Sequence, residues 1–134
     1  MSDTPTVTAR LRRFFEDHPG DVAAVYLFGS MARGTATAAS DVDVGVLLAT
    51  EPPADLDGLL LGLEADLEAM LERDVQVVVL NTAPCDLVHR VLRDGLLVVD
   101  QRPSVRVAFE VRARNEFFDL EPILRQYRAG TPRR

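Results

Sequence analysis

Apolar residues recur every three to four positions in four stretches of the chain, which is the spacing of one buried face of an α-helix. Gly95 follows the third stretch and is expected to end it. Pro122 is expected to interrupt the fourth, because proline lacks the N–H that an interior helical position donates. The predicted helices lie between Pro5 and Pro19 and at residues 56–71, 84–94 and 104–128.

Four shorter apolar runs have the length and composition of β-strands, at residues 22–28, 41–48, 75–80 and 96–99. The second run alternates, with valines at positions 42, 44 and 46 on one face. Asp41, Asp43 and Gly45 then share the opposite face. Helices and strands alternate along the whole chain, which predicts an α/β layer protein.

Length and composition indicate one soluble globular domain. The 134 residues are 47% hydrophobic and 27% charged, so we expect a single domain over residues 1–134, with residues 1–5 and 129–134 frayed. The first residues show no signal peptide, and no apolar stretch approaches the ~20 residues that span a bilayer. We therefore expect no membrane contact and a cytoplasmic location.

Charge and residue usage exclude several kinds of chemistry. All 15 basic residues are arginine, so Schiff-base lysines and the lysine of a Walker-type phosphate loop are absent. One cysteine and two histidines are too few for a Cys/His zinc site. Cys85 is expected to be a half-buried small residue rather than a nucleophile. The net charge of −6 argues against direct nucleic-acid binding.

One segment departs from plain core packing, where the strand 22–28 runs into Gly29-Ser30. Glycine permits a tight turn and a close approach of backbone to a ligand. Ser30 offers a hydroxyl and, at the start of a helical turn, free N–H groups that favour phosphate. Arg33 follows one turn later and can donate a forked pair of hydrogen bonds to phosphate oxygens. This segment is therefore a candidate phosphate-binding turn.

Asp41 and Asp43 stand two positions apart on a strand, so their side chains share a face with Cα atoms roughly 6.5–7 Å apart. Their mutual repulsion favours a hard divalent cation, and Mg²⁺ usually binds through one or two carboxylates together with substrate phosphates. An ordinary solvated strand face is the alternative. A Walker loop is ruled out because Thr35-Ala36 stands where lysine and serine or threonine are required. A calcium loop is ruled out by the missing third acidic ligand.

The combined pattern G-S-x10-D-x-D, with strands on both sides, resembles the signature of polymerase β-type nucleotidyltransferases. More closely, the chain resembles the minimal nucleotidyltransferases (MNT) that act as antitoxins of HEPN-domain toxins. The likeness continues through residues 77–84, 90–95 and 118–122, and so covers nearly the whole chain. It implies a small mixed central sheet flanked by helices, with a long C-terminal helix.

The resemblance also implies a function. Gly29, Ser30, Arg33 and Ser40 would bind the nucleotide triphosphate, and Asp41 and Asp43 would hold one or two Mg²⁺ ions. In the antitoxin family, AMP passes from ATP to a tyrosine of the toxin. The implied partner is therefore a HEPN-domain toxin that supplies the acceptor hydroxyl.

One position departs from the family pattern. The third carboxylate usual on the next central strand falls at Gln76, an amide that cannot act as a base. Asp74 lies two residues earlier and faces the same way on a regular strand. Either Asp74 partly substitutes as a catalytic carboxylate, or the site operates on two carboxylates with lower activity, or Asp74 only marks the start of the strand.

The chain is too short for an added acceptor-binding domain, which independently suggests that another polypeptide provides the acceptor. Phe109, Phe117 and Phe118 of the last helix could help to dock that partner, although covering the sheet is the simpler role for most of them. A second hypothesis is a catalytically weak or inactive MNT module that neutralises the toxin by binding alone.

Overall fold

A computed structural model describes the backbone of residues 4–37 and 40–130, and the side chains of that range except at 120, 121 and 123–130. It contains five helices and four strands in the described ranges. The helices are α1 (Thr4–Asp17), α2 (Ser30–Arg33), α3 (Leu56–Leu71), α4 (Cys85–Asp94) and α5 (Pro103–Gly130). The strands are β1 (Val22–Phe28), β2 (Val42–Leu48), β3 (Val75–Val79) and β4 (Leu96–Asp100).

The strands form one mixed sheet in the order β3-β2-β1-β4. β1 lies antiparallel to both β2 and β4, whereas β2 and β3 run parallel across the α3 connection. This architecture confirms the predicted small mixed sheet flanked by helices.

Each face of the sheet carries its own apolar core, as the alternation along β2 predicts. Val42, Val44 and Val46 pack with β3 valines under α1 and α3. Tyr26 and Leu47 face the other way and pack under α4 and α5. Side chains therefore reach the α4–α5 face or the α1–α3 face according to their parity along each strand.

Both outer strands of the sheet have backbone groups engaged by helix side chains. On β3, the amides of Val75 and Val77 donate to the carboxylates of Glu68 (3.1 Å) and Glu64 (2.8 Å) of α3. On β4, Arg12 Nε of α1 donates to the carbonyl oxygen of Val98 at 2.9 Å. These bonds also fix the two helices over the sheet.

The chain termini and α5 differ from the sequence prediction. Thr4 and Pro5 belong to α1 rather than to a frayed end, and residues 129–130 belong to α5. The frayed ends expected at residues 1–3 and 131–134 lie outside the described residues. α5 is also a single helix through Pro122. An exposed helical proline removes one hydrogen bond and strains one turn, and the helix-favouring residues on both sides continue the helix.

Gly95 ends α4 as predicted, but for a different reason. Its φ of −79° and ψ of 167° are extended, not left-handed. A Cβ at this position would lie 2.4 Å from the Val91 carbonyl oxygen and 3.2 Å from the Leu27 carbonyl oxygen. Glycine is needed here chiefly because a Cβ would collide with the last turn of α4 itself, and the β1 backbone leaves little space beside it. None of the described helices is long and apolar enough to cross a membrane.

Candidate active site

The turn after β1 depends on glycine. Gly29 has φ 72° and ψ −149°, a region that residues with a side chain rarely enter. It leads into α2, whose turn is closed by the bond from Arg33 N to the Gly29 carbonyl oxygen at 3.1 Å. Gly34, with φ 74°, ends α2 in the left-handed conformation. Ser30 is half-buried and Arg33 is exposed, so both side chains of the predicted phosphate-binding turn lie at the surface of the site.

The carboxylate of Asp43 lies directly against this turn. Asp43 pairs with Phe28 across β1 and β2, which places it beside Gly29. A Cβ at Gly29 would lie 2.2 Å from Asp43 Oδ2. Glycine therefore leaves the space that the carboxylate fills. The structure brings the two halves of the sequence motif together at one end of the sheet.

Asp43, Asp41 and Arg33 are close enough for their charges to interact. Partial burial raises the pKa of the Asp43 carboxyl, the neighbouring Asp41 carboxylate raises it further, and the Arg33 guanidinium opposes both effects. Two anions and one cation thus surround a partly desolvated point at the start of β2. The pair of carboxylates carries unbalanced negative charge that a cation would relieve.

The donor set fits Mg²⁺ better than a transition metal. Asp41 and Asp43 supply oxygen ligands, and within the described part of the chain no three His, Cys, Asp or Glu residues lie together as a closed metal cage. Mg²⁺ keeps several waters and binds readily through two carboxylates together with substrate phosphates. The residues that would hold the ion are therefore Asp41 and Asp43.

The structure places Gln76 beside Asp43. The two residues are paired in the parallel register of β2 and β3, and Gln76 is exposed. Asp74 lies just before β3, where its carbonyl oxygen accepts a hydrogen bond from Val42 N at 2.9 Å. The Gln76 amide thus occupies the strand position beside Asp43. Asp74 and Asp41 each directly precede the Val42–Val75 pair, so Asp74 lies on the Asp41 side of the site.

Ser40, a predicted nucleotide-binding residue, lies in a short turn with Thr37 directly before Asp41. Its hydroxyl accepts a hydrogen bond from Thr37 N at 2.8 Å, and its own N–H donates to the Thr37 carbonyl oxygen at 3.0 Å. Arg73, which the sequence did not single out, donates to the carbonyl oxygens of both residues. No local pattern marks Arg73, because its partners lie more than 30 positions earlier.

The α4–α5 side of the site carries aromatic and basic residues. Phe117 is buried and stacks on His89, with ring centroids 3.5 Å apart, whereas Phe118 is 68% exposed. Asp94 is paired with Arg93, which lowers the pKa of its carboxyl, and the more distant charge of Arg33 acts in the same direction. The end of α4 therefore lies within electrostatic range of Arg33 in the predicted phosphate-binding turn.

Two further sequence predictions concern single residues. Phe109 is buried in the core under α5, as the simpler reading of the α5 aromatics expects. Cys85 is half-buried, and burial raises the pKa of its thiol. A raised pKa leaves less of the nucleophilic thiolate at neutral pH, in keeping with a packing role.

Comparison with known proteins identifies the family. Residues 9–104 match the family model described as polymerase beta, nucleotidyltransferase. Among curated proteins, none matches the chain significantly. A solved structure assigned as a minimal nucleotidyltransferase is 32% identical, covers 72% of this chain and 95% of its own, and has a TM-score of 0.55.

Two toxin–antitoxin structures share the fold. A chain from a toxin–antitoxin complex with AMP-PNP has a TM-score of 0.69 at 23% identity, over 87% of this chain and 94% of that chain. A chain from the complex of a tri-AMPylated Shewanella oneidensis HEPN toxin with its MNT antitoxin has a TM-score of 0.63 at 19% identity. The match covers 90% of this chain and 95% of that chain. Because the family model covers well over half of the sequence and the 32% identical relative is matched over nearly all of its length, this chain belongs to the polymerase β nucleotidyltransferase family, as a minimal nucleotidyltransferase.

Proposed function

We propose that this protein transfers AMP from ATP to a hydroxyl group, expected to be a tyrosine, of a partner HEPN-domain toxin, and thereby acts as its antitoxin. The observation that carries the proposal is the close approach of the Asp43 carboxylate to the Gly29 turn, which joins a cation site to a phosphate-binding turn. The fold shared with an MNT antitoxin and with a complex containing AMP-PNP supports the choice of partner and nucleotide.

In this proposal, the described residues bind and orient the reactants. Ser30 and Arg33 donate hydrogen bonds to the phosphates, and Asp41 and Asp43 hold the Mg²⁺. When bound, Mg²⁺ offsets the charge that develops on the α-phosphate and on the leaving pyrophosphate. The acceptor oxygen forms a bond to the α-phosphorus, the bond from that phosphorus to the β-phosphate oxygen breaks, and the acceptor proton passes to a nearby base or to water.

In this proposal the acceptor hydroxyl belongs to the partner toxin. A partner polypeptide would therefore complete the active site. Exposed Phe118 lies on the α4–α5 side and is the natural contact for such a partner. Phe118→Ser should weaken binding of the partner without changing ATP binding, which isothermal titration with each ligand measures separately.

The direct test is transfer of radiolabel from [α-³²P]ATP to the protein encoded beside this gene, with Mg²⁺ present. Wild-type protein should label the partner, and label should disappear in the Asp41→Ala, Asp43→Ala double variant. Labelling with [γ-³²P]ATP serves as the control, because AMP transfer releases the γ-phosphate. A correct, folded partner that receives no α-label would overturn the proposal.

A pair of substitutions tests the third carboxylate. Gln76→Asp places a carboxylate beside Asp43 and should raise the transfer rate if the site operates on two carboxylates. Asp74→Asn should lower the rate only if Asp74 substitutes as a catalytic carboxylate. An unchanged rate in Asp74→Asn removes Asp74 from the mechanism.

A second candidate function is neutralisation of the toxin by binding alone. Gln76 favours it, since the strand position beside Asp43 carries an amide that cannot take a proton. The double aspartate variant separates the two functions in cells that express the toxin. If that variant protects the cells as well as wild type does, binding alone is sufficient.

A further inference from the structure

Asp41 is not held by the sheet on its N-terminal side. β2 begins at Val42, whose N–H donates to the Asp74 carbonyl oxygen at 2.9 Å. Asp41 precedes this first bond of the strand and is exposed. Its position is therefore set by the loop that precedes it as much as by β2.

Arg73, from the segment before β3, binds the backbone of the loop that leads into Asp41. Its Nη2 donates to the carbonyl oxygens of Thr37 at 2.5 Å and Ser40 at 3.0 Å. Its Nε also lies 3.3 Å from the Ser40 oxygen. One planar guanidinium thus bonds two carbonyls, and the second belongs to the residue immediately before Asp41. A planar fork with fixed donor directions suits this arrangement, whereas a lysine ammonium would offer only a point charge.

The backbone before β3 fixes where Arg73 lies. α3 ends at Leu71, and Glu72 adopts a left-handed conformation with φ 56° and ψ 38°. The chain then enters β3, where the Val75 amide is bound by Glu68 of α3. Arg73 is half-buried between these two anchors. The guanidinium is therefore presented to the loop by a short segment that is fixed at both ends.

We infer that Arg73 is a positioning residue of the nucleotidyltransferase site. By holding the carbonyls of Thr37 and Ser40, it fixes the backbone that carries Asp41 and so the spacing of the two carboxylates that bind the cation. This inference rests on the proposed metal site but not on the identity of the acceptor. In this role Arg73 acts through the loop that carries Asp41, not on the nucleotide or the cation directly.

The experiment compares three variants with wild type. Arg73→Met removes the donors but keeps an unbranched apolar side chain, Arg73→Lys keeps the charge without the fork, and Arg10→Met removes an exposed arginine of α1 as a control. Binding of Mn²⁺, a paramagnetic substitute for Mg²⁺, is measured by electron paramagnetic resonance. Exchange of the Thr37 and Ser40 amides with D₂O is measured by NMR.

Arg73→Met should raise the Mn²⁺ dissociation constant roughly tenfold, the size of effect found when the groups that orient metal ligands are removed. Arg73→Lys should fall between Arg73→Met and wild type, and Arg10→Met should match wild type. The Thr37 and Ser40 amides should exchange faster in Arg73→Met, while the Val25 amide in the centre of β1 keeps its wild-type rate. The amide result separates a local role from general destabilisation.

Mn²⁺ affinity within twofold of wild type and unchanged loop exchange in Arg73→Met would overturn the inference. So would faster exchange at Val25 to the same degree, because that indicates loss of global stability. A wild-type chain that binds no Mn²⁺ would overturn the inference together with the metal site. If the Arg73 effects are found but wild type labels no partner, the AMP-transfer proposal fails and the positioning role stands.

Discussion

Replacing Gly29 by alanine tests whether the turn and the carboxylate pair form one site. Gly29 has φ 72° and ψ −149°, a conformation that costs about 1–3 kcal/mol for a residue with a side chain. The new Cβ would also lie 2.2 Å from Asp43 Oδ2, and real Cβ atoms essentially never come within 3.0 Å of a heavy atom outside their own and the adjacent residues. The carboxylate must therefore move by at least the difference, 3.0 − 2.2 = 0.8 Å.

The two effects predict different observables. The backbone cost should lower the free energy of unfolding by about 1–3 kcal/mol, which for a chain of this size lowers Tm by roughly 3–5 °C for each kcal/mol. Rotation of Asp43 is cheap in stability, because its carboxylate is the end of a flexible side chain. It is costly in function, because a displacement near 1 Å of a reacting group can lower a rate about 100-fold.

Gly34→Ala is the matched control. Gly34 also has a positive φ, 74°, but a Cβ there meets no atom within 4 Å. In this variant the free energy of unfolding should fall by roughly 1–2 kcal/mol from backbone strain alone, and the Mn²⁺ affinity should equal that of wild type. Thermal unfolding and Mn²⁺ titration of both variants measure the difference. If Gly29→Ala binds Mn²⁺ as tightly as Gly34→Ala does, the carboxylate is not where this reasoning requires it to be.

Three further predictions concern stability. Asp43 has a raised pKa in the folded state, so the metal-free protein loses stability as pH rises through that pKa. Asp43→Asn should therefore have a higher Tm than wild type at pH 7 in EDTA. This difference in Tm should vanish below pH 3.8, the pKa of the unfolded state. Tyr26→Phe should cost about 1–2 kcal/mol in urea unfolding, because Tyr26 OH donates to the Glu110 carboxylate at 2.5 Å, and an unchanged midpoint would contradict this. Glu72→Gly should raise Tm slightly, since glycine adopts φ 56° without a Cβ penalty; a lower Tm would show that the Glu72 side chain contributes more than the strain costs.

Local patterns in the sequence were enough to predict the strands and the site motif. The alternation along β2 placed three valines in one core and the aspartates on the other face, because a strand allows only two directions for a side chain. Strand and helix ends were predicted to within about one residue, except at α5.

Contacts between distant segments could not be predicted in this way. Arg73 bonds to Thr37 and Ser40, which lie 36 and 33 positions earlier in the chain. Tyr26 bonds to Glu110 of α5. Thr4 Oγ1 likewise donates to the Met31 carbonyl oxygen at 3.0 Å, tying α1 to α2. No periodicity reports such pairs, because each depends on how two elements meet in the folded chain.

The edge strands of a sheet carry unpaired N–H and C=O groups, to which a strand of another chain can add. Here Glu64 and Glu68 occupy two amides of one outermost strand, and Arg12 occupies a carbonyl of the other. An incoming strand would have to displace charged side chains before it gained its first bond. Growth of this protein into fibrils or strand-swapped pairs is therefore disfavoured, and a partner protein has more to gain by packing against the helices.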